Sequence, residues 1–375
     1  MCLVIDARYL GPRSSGIGTY IKALVCRLPV LAPDLPIRLW VDRETSFPGA
    51  AERGIHLHRV APVANSLMTL AGPWALDRLT ARDLFHAPAN ILGYGMPCPS
   101  IVTVHDVMWL ERPADCQPSP WLRPISQTYY HIGIRRALRR ARRILTVSNA
   151  SARAIQQIEP SVDGKIVVTH NAHEAHFQLP LCPCGARTKA ARILGFENDY
   201  LLVVGQDQPT KGHEIAIRAF ARARPYGIHL VLIQRLSRGN RLFNLAFELG
   251  LRDRVRFVSE IKLDEFLAVV QSARALLHPS YAEGFGLPVL EAAACGCPVV
   301  ASAIPALNEV LEDAALYAPA GNISAWSDAI ERVISDASLA ESLKLKGLER
   351  ACWFSWDRTA RATLNAYREV LAEMS

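Results

Sequence analysis

Residues Ala275-Leu-Leu-His278 lead into Ser280-Tyr-Ala-Glu283-Gly-Phe-Gly-Leu-Pro-Val-Leu-Glu291-Ala292, and Val299-Val-Ala-Ser302 follows soon after. An apolar run, a Gly-x-Gly turn, a helical pattern and a second β-branched run spell strand, turn, helix and strand. Gly284 and Gly286 let the backbone of the turn approach a ligand closely. The first N–H groups of the helix, at Phe285, Gly286 and Leu287, suit an anion such as a diphosphate. Glu283 precedes the helix and reaches whatever lies beyond the phosphates. Glu291, about one turn in, is placed to accept hydrogen bonds from a ribose diol. A helix cap for Glu283 and plain exposure for Glu291 are the simpler alternatives, but the strand, glycines and helix agree on a ligand site.

The same alternation extends in both directions. Leu3–Ile5, Ile101–Val104, Ile144–Val147 and Ile166–Thr169 read as buried strands in one half. Leu201–Val204, Leu230–Ile233, Val255–Val258, Ala275–His278 and Val299–Ser302 do so in the other. Helical patterns fall between them, including Thr19–Leu28, Gly212–Ala223, Leu263–Ser272, Val289–Ala294 and Ser324–Ser335. This predicts an α/β protein with two Rossmann-like, doubly wound parallel sheets, which place ligands at the carboxyl ends of their strands. A chain of 375 residues has room for two such domains. The Pro/Gly/Cys stretch Gln178–Gly185 marks the boundary, giving domains over 1–180 and 181–355, with a C-terminal helix over 356–375.

Composition excludes other classes. Half of the residues are hydrophobic and 21% are charged, which is too apolar for a disordered chain. Met1 runs straight into a strand-like Cys2-Leu3-Val4-Ile5 rather than a signal sequence, so a cytoplasmic location is expected. The longest apolar stretch, Ala292–Leu307, is interrupted by Pro298, Ser302 and Pro305, so no spanning helix is expected. Nine cysteines argue against a paired disulfide framework. The one-residue spacers of Cys182-Pro-Cys184 and Cys295-Gly-Cys297 argue against structural zinc.

The net charge of +7 is uneven. Residues 1–180 hold 20 Lys+Arg against 13 Asp+Glu, whereas residues 181–375 hold 22 of each. Much of the excess lies in Ile134-Arg-Arg-Ala-Leu-Arg-Arg-Ala-Arg-Arg-Ile144. Read as a helix, Arg135, Arg136, Arg139, Arg140, Arg142 and Arg143 fall within an arc of about 160°. Such a face is either solvated or meets the head groups of anionic lipids, with Trp121, Tyr129 and Tyr130 upstream as interfacial anchors. No nucleic-acid-binding signature accompanies the arginines, so nucleic acid is not an expected partner.

Three further turns carry chemistry. In Leu201-Leu-Val-Val-Gly205-Gln206-Asp-Gln-Pro-Thr-Lys211-Gly212, a strand and Gly turn set Lys211 at a helix start, where its charge adds to the helix dipole. Asp6-Ala-Arg8 followed by Ser15-Gly16-Ile-Gly18-Thr-Tyr20 repeats strand, Gly turn and helix, a weaker phosphate signal. His105, in Thr103-Val-His-Asp106 at a strand end, can donate to a sugar hydroxyl or a leaving phosphate, or serve structure alone. Ser148-Asn-Ala-Ser151 reads as a helix N-cap.

Together these residues resemble glycosyltransferase family 4, retaining nucleotide-sugar-dependent enzymes of the GT-B architecture, in which two Rossmann-like domains face a cleft. The resemblance runs through Ile5-Asp-Ala-Arg8, Gly16-Ile-Gly18, Phe85-His-Ala-Pro88, Thr103–Asp106, Thr146-Val-Ser-Asn149 and Val204-Gly…Lys211-Gly212. It continues through Phe257-Val-Ser-Glu260 and the Glu283…Glu291 block to Pro298–Ser302 and Phe354-Ser-Trp-Asp357. It implies that the diphosphate rests on Lys211 and on the backbone of Phe285, Gly286 and Leu287. It also implies that Glu283 binds sugar hydroxyls, Glu291 the ribose and Val258–Ile261 the base. Gly16 and Gly18 would close over the phosphates, His105 would lie beside the sugar, and the helix from about Trp356 would return to the first domain. The sequence departs from the family pattern in two places. Gln206 stands where the family commonly has Arg, leaving Lys211 or another arginine such as Arg235 to supply the charge, and Asn171-Ala172 stands where it usually has Asn-Gly.

The resemblance is to the bacterial polysaccharide mannosyltransferase branch. It implies hexosyl transfer, with mannose from GDP-mannose, to a lipid-linked or growing oligosaccharide in exopolysaccharide or O-antigen synthesis. UDP-sugars and soluble acceptors stay open as alternatives, and the non-enzymatic alternative is a nucleotide-sugar sensor. No Asp-x-Asp occurs in the chain, so a metal-independent reaction without a cofactor is expected. Retention needs either a carboxylate nucleophile or front-face attack, and the resemblance implies front-face attack with Glu283 orienting the sugar. The basic segment, with Arg135, Arg136, Arg139, Arg140 and Arg143 facing lipid, would hold the enzyme peripherally on the inner membrane.

Overall fold

The computed structural model describes residues 1–11, 15–43, 45, 47–61, 63–64, 66–72, 79–117, 119–234 and 241–374. They form two compact units, Met1–Asn171 with Ser355–Ser375, and Ala172–Phe354. The boundary precedes the Gln178–Gly185 stretch that the sequence suggests. That stretch is anchored within the second unit, where the Gln178 carbonyl accepts from Gln271 Nε2 at 2.7 Å and Phe177 meets Phe266 edge to face.

In the first unit, β1 (Leu3–Asp6), β2 (Ile37–Val41), β3 (Ile55–Arg59), β4 (Leu84–Ala87), β5 (Ser100–Val104), β6 (Arg143–Thr146) and β7 (Ile166–Val168) build one sheet. Its order is β3-β2-β1-β4-β5-β6-β7, parallel throughout. The helices are α1 (Gly16–Leu31), α2 (Leu67–Ala71), α3 (Met108–Glu111), α4 (Pro113–Cys116), α5 (Arg123–Arg140) and α6 (Asn149–Ile158). Ser148 caps α6, accepting from the Ser151 N–H at 3.0 Å.

In the second unit, α7 (Pro183–Leu194) precedes β8 (Tyr200–Val204), α8 (His213–Ala223), β9 (His229–Ile233), α9 (Arg241–Glu248), β10 (Val255–Val258) and α10 (Leu263–Ser272). Then come β11 (Ala275–His278), α11 (Leu287–Ala294), β12 (Val299–Ser302), α12 (Pro305–Leu311), β13 (Ala315–Ala318), α13 (Ile323–Ser335) and α14 (Ala337–Ala351). The six strands run parallel in the order β10-β9-β8-β11-β12-β13. Leu201, Leu202 and Val203 are all buried although they alternate faces, because helices cover both sides of the sheet. The last helix, α15 (Trp356–Ala372), belongs to the first unit, where its Tyr367 reaches His86 at 2.7 Å.

Strand order reverses between β1 and β4 in one sheet and between β8 and β11 in the other. In doubly wound sheets a crevice opens at the carboxyl ends of the strands at that point. The turns holding Lys211 and Glu283 leave from β8 and β11, on either side of the second unit's reversal.

The basic segment differs from the helix expected over 134–144. The helix α5 ends at Arg140, Ala141 turns extended (ψ 142°), and the Arg142 N–H donates to Ser100 O at 2.8 Å. Burial of Ile144 and Leu145 in β6 drives the break, since an amphipathic helix would bury only one side of them. Arg143 therefore does not share a helix face with the other arginines. It pairs with Glu369 at 3.1 Å and Glu373 at 2.7 Å, the first on α15 and the second at its C-cap, which corrects its assignment to a membrane face.

Candidate functional site

The site is built on two glycines. Gly212 ends the Pro209–Lys211 turn at φ 61°, and a Cβ there would lie 2.1 Å from Pro279 O. Only a glycine lets the Lys211 turn press so closely on the loop leaving β11. The Tyr281 N–H donates to Thr210 O at 2.8 Å and joins the two turns. Gly286, at φ 99°, caps α11 where a Cβ would lie 2.5 Å from Leu307 Cδ2.

This close approach brings Lys211 and Glu283, 72 positions apart in sequence, to an ion pair of 2.7 Å. Glu283 Oε1 also accepts from Ser280 Oγ at 2.8 Å and lies 2.9 Å from His278 Nε2. Burial by itself would raise the Glu283 pKa. The Lys211 ammonium and the His278 contact outweigh that, holding the carboxyl well below the usual carboxylate range. His213 packs under the turn with Nδ1 3.0 Å from Gln234 Oε1, and burial lowers its pKa to about 4, so the ring is neutral. Glu291 faces a different environment. Burial first, then the Glu174 carboxylate, raises its pKa to about 7. The two glutamates of one motif thus take opposite protonation habits.

Other expected residues occupy the same unit with less specific surroundings. Gln206 is exposed, its Oε1 3.3 Å from Gln208 Nε2, and no ion pair involves it among the described residues. Phe285 is buried edge to face on Phe354 at 5.4 Å. Leu287 is the first residue of α11, and Pro288 follows without an N–H, so the donors of the first turn are those of Phe285, Gly286 and Leu287. Arg235, proposed as a substitute charge, lies outside the described residues.

In the first unit, Gly16 opens α1 and Ser15 caps it, accepting from the Gly18 N–H at 3.0 Å. A Cβ at Gly18 would lie 2.8 Å from Tyr9 O, which accounts for glycine there without a ligand. His105 is buried, with Nε2 2.8 Å from Pro88 O and burial lowering its pKa to about 4. A carbonyl only accepts, so Nε2 carries the proton and Nδ1 is left as an acceptor. His105 is therefore suited to receiving a hydrogen bond from a hydroxyl, and not to donating one to a phosphate. Arg135 and Arg139 share Glu159, at 3.7 and 2.7 Å, and the Arg136 guanidinium lies over Tyr94 at 4.0 Å. Tyr129 is buried with its hydroxyl donating to Ser66 O, and Tyr130 stacks on Trp109, so neither is an interfacial anchor. Trp121, at 88% exposure, stays available, with Leu122, Ile125 and Ile132 exposed on the same segment.

The sequence reading missed His278, Ser280, His213 and Gln234 around the ion pair. Ser280 was legible as a hydroxyl three residues before Glu283. His213 and Gln234 meet only through the packing of α8 beside β9.

The geometry sets a class: a parallel α/β unit with an anion-ready turn and a lysine–glutamate pair at its strand reversal. Residues 187–350 match the family model described as Glycosyl transferases group 1. The second unit therefore carries a group 1 glycosyl transferase domain. It is 34% identical over 212 residues to a D-inositol 3-phosphate glycosyltransferase of Salinispora tropica, covering 51% of this chain and 44% of that protein. The chain spans about half the length of such relatives. It is 28% identical to O-antigen chain mannosyltransferase B of Escherichia coli, over 94% of this chain and 96% of that one. HepE of Anabaena, solved in complex with UDP-glucose, shares the GT-B fold at a TM-score of 0.77 and 20% identity, over 98% and 99% of the two chains. Among the described residues no helix is long and apolar enough to cross a membrane, and no three His, Cys, Asp or Glu gather as a metal-holding group.

Proposed function

We propose that this protein transfers a hexose from a nucleotide sugar to a lipid-linked or growing oligosaccharide, with mannose from GDP-mannose as the donor. The observation that carries the reading is the Lys211–Glu283 pair at the mouth of the second sheet. An incoming diphosphate takes the Lys211 ammonium and the backbone at Phe285, Gly286 and Leu287, with Gln206 beside it. Glu283, still held by His278 and Ser280, then turns a carboxylate oxygen to the sugar hydroxyls. Glu291 receives the ribose.

Glu283 is a poor nucleophile and a poor base. Its pKa is depressed and one oxygen is saturated with partners, so its charge is already committed. That supports front-face substitution with retention, in which the leaving phosphate helps to deprotonate the acceptor and Glu283 orients the sugar. Lys211 stabilises the departing diphosphate without a metal or cofactor. In the first unit, His105 Nδ1 is proposed as a hydrogen-bond acceptor and the turn of Gly16 and Gly18 as a phosphate contact. The similarity to an O-antigen chain mannosyltransferase supports mannose as the sugar and a growing polysaccharide as the acceptor class.

A cytoplasmic, peripheral association with anionic membrane is part of the proposal. It rests on the exposed Trp121, Ile125 and Ile132 in line with Arg135, Arg136, Arg139 and Arg140. Vesicles of anionic lipid are expected to sediment the protein at low salt, and Trp121→Ser with Arg140→Glu to abolish this. Equal binding by that variant would remove the membrane claim.

A donor screen in EDTA tests the rest: GDP-mannose, UDP-glucose, UDP-galactose and UDP-GlcNAc, followed by thermal shift and slow donor hydrolysis. Turnover of GDP-mannose that is lost in Lys211→Ala is the expected result. Turnover of a UDP-sugar instead would replace the donor. Binding without turnover would favour a nucleotide-sugar sensor.

A further inference from the structure

Away from that site, two thiols of the second unit touch. Cys182 is the N-cap of the 12-residue helix α7, Pro183 its first residue and Cys184 the next. Both thiols are exposed, and their Sγ atoms stand 3.0 Å apart. The Gly185 N–H donates to Cys182 Sγ at 3.3 Å. The pair with the same spacing in this chain behaves otherwise. Cys295 and Cys297 are both buried, and Cys297 Sγ turns away to the carbonyls of Ala273 and Pro298.

We propose that Cys182 and Cys184 are a redox modification site, a vicinal dithiol that exchanges with a low-molecular-weight disulfide and closes to an intramolecular disulfide. The Cys182 thiolate attacks one sulfur of the incoming disulfide, forming a mixed disulfide and expelling one small thiolate. Cys184 then loses its proton to solvent, and its thiolate attacks Cys182 Sγ, expelling the second small thiolate. The protein dithiol gives up two electrons and two protons, and the small disulfide is reduced to two thiols.

Each role follows from position. The α7 N-terminus and the Gly185 N–H favour negative charge on Cys182, whose pKa is lowered first by its contact with Cys184 and then by that N–H. The Cys184 thiol is held protonated by the same contact, which suits it to the second, resolving step. Pro183 restricts the backbone between them, so little conformational freedom remains to be lost on closure. The helix itself is tied down, with Lys189 paired to Asp264 on α10. Closure needs the sulfurs to approach by about 1 Å to reach the length of a disulfide bond.

The test uses the reduced full chain in glutathione buffers of graded oxidation, quenched with acid, alkylated and mapped by peptide mass. Cys352, exposed on α14's C-terminal cap, is the internal control. The Cys182–Cys184 peptide is expected to lose both alkylation sites together, with the mass of two hydrogens, about tenfold faster than Cys352 is modified. Cys184→Ser is expected to stop at a glutathione adduct on Cys182, and Cys182→Ser to slow reaction at Cys184 to the Cys352 rate. A wild-type protein that keeps a glutathione adduct, or stays fully alkylatable while Cys352 reacts, would overturn the proposal.

Discussion

Two polar clusters at strand ends, one in each unit, are built in opposite ways. In the first unit the ends of β4 and β5 carry His86 and His105, both buried and neutral. His86 lies in a chain that runs from Tyr20 through Thr103 and His86 to Tyr367, with steps of 3.0, 2.8 and 2.7 Å. Burial lowers the His86 pKa to about 3, and every group in the chain is uncharged. In the second unit His278 and the turns after β8 and β11 bring together Lys211, Ser280 and Glu283, with the Lys211 ammonium and the Glu283 carboxylate 2.7 Å apart; the first unit keeps its own buried ion pair, Asp6–Arg8 at 2.6 Å, at the end of β1. The first arrangement binds α15 to its sheet and stabilises structure. The second keeps charge desolvated beside an anion-ready turn, which is costly unless the charges are used. The histidine chain thus serves as scaffold, whereas the lysine–glutamate pair forms the candidate site.

The largest expected effect is on activity. Lys211→Ala or Glu283→Gln should lower kcat about 10²–10³-fold, the loss typical of removing one preorganised electrostatic partner. An equally large kcat loss in Tyr367→Phe would break the contrast between scaffold and site.

Stability comes next. Lys211→Ala leaves Glu283 buried without its main charge partner and should cost about 3 kcal/mol in urea unfolding. Combining Lys211→Met with Glu283→Gln removes both charges and should recover most of that loss while leaving the enzyme inactive. Additive losses would mean that the pair does not interact energetically.

In the first unit, Tyr367→Phe deprives His86 Nδ1 of its buried partner and should cost about 1–3 kcal/mol. Hydrogen exchange should report the loss on α15 and β4.

The smallest and most discriminating effect is the response to pH. His86 and His105 stay neutral in the fold down to about 3 and about 4, whereas the unfolded chain binds protons below about 6.5. Their contribution is therefore complete above about 6.5 and drains away as pH falls toward 4. In the second unit His213 acts in the same sense, but Glu291 opposes it. Glu291 stays protonated in the fold up to about 7 and ionises near 4.5 when unfolded, so its contribution is complete below about 4.5 and is lost as pH rises through 7. Hydrogen exchange compared at pH 5 and pH 7.5 should show the first unit losing protection in acid while the second changes less. Glu291→Gln should remove the opposing slope. Donor KM should fall as pH rises through 7, because the ribose hydroxyls need the Glu291 carboxylate as acceptor.

Much of this was legible along the chain. The β-branched runs of the second sheet and the Gly-x-Gly turn before α11 appear in local order, since strand, turn and helix each follow from adjacent residues. The edge strand β3 and its neighbour β2 are not legible in the sequence. In β3, His56 and His58 break the apolar run, and only pairing with Ile37–Val41 makes a strand of it. The basic helix was overextended, because helical periodicity at Arg142 and Arg143 cannot register that Ile144 and Leu145 are claimed by the sheet.

Taken alone, the sequence determined the alternation of elements, the glycines of both turns and the residue types that a diphosphate and a sugar would need. Those features are local, set by side-chain sterics and periodicity within a dozen residues. The tertiary structure decided which charges meet and which are neutralised. It set Lys211 on Glu283 through the contact of Gly212 with Pro279 O, turned Arg143 to Glu369 and Glu373, and gave Glu283 and Glu291 opposite protonation. Electrostatic partners and desolvation depend on distances between segments far apart in the chain, and those distances exist only once the sheets have closed around their cores.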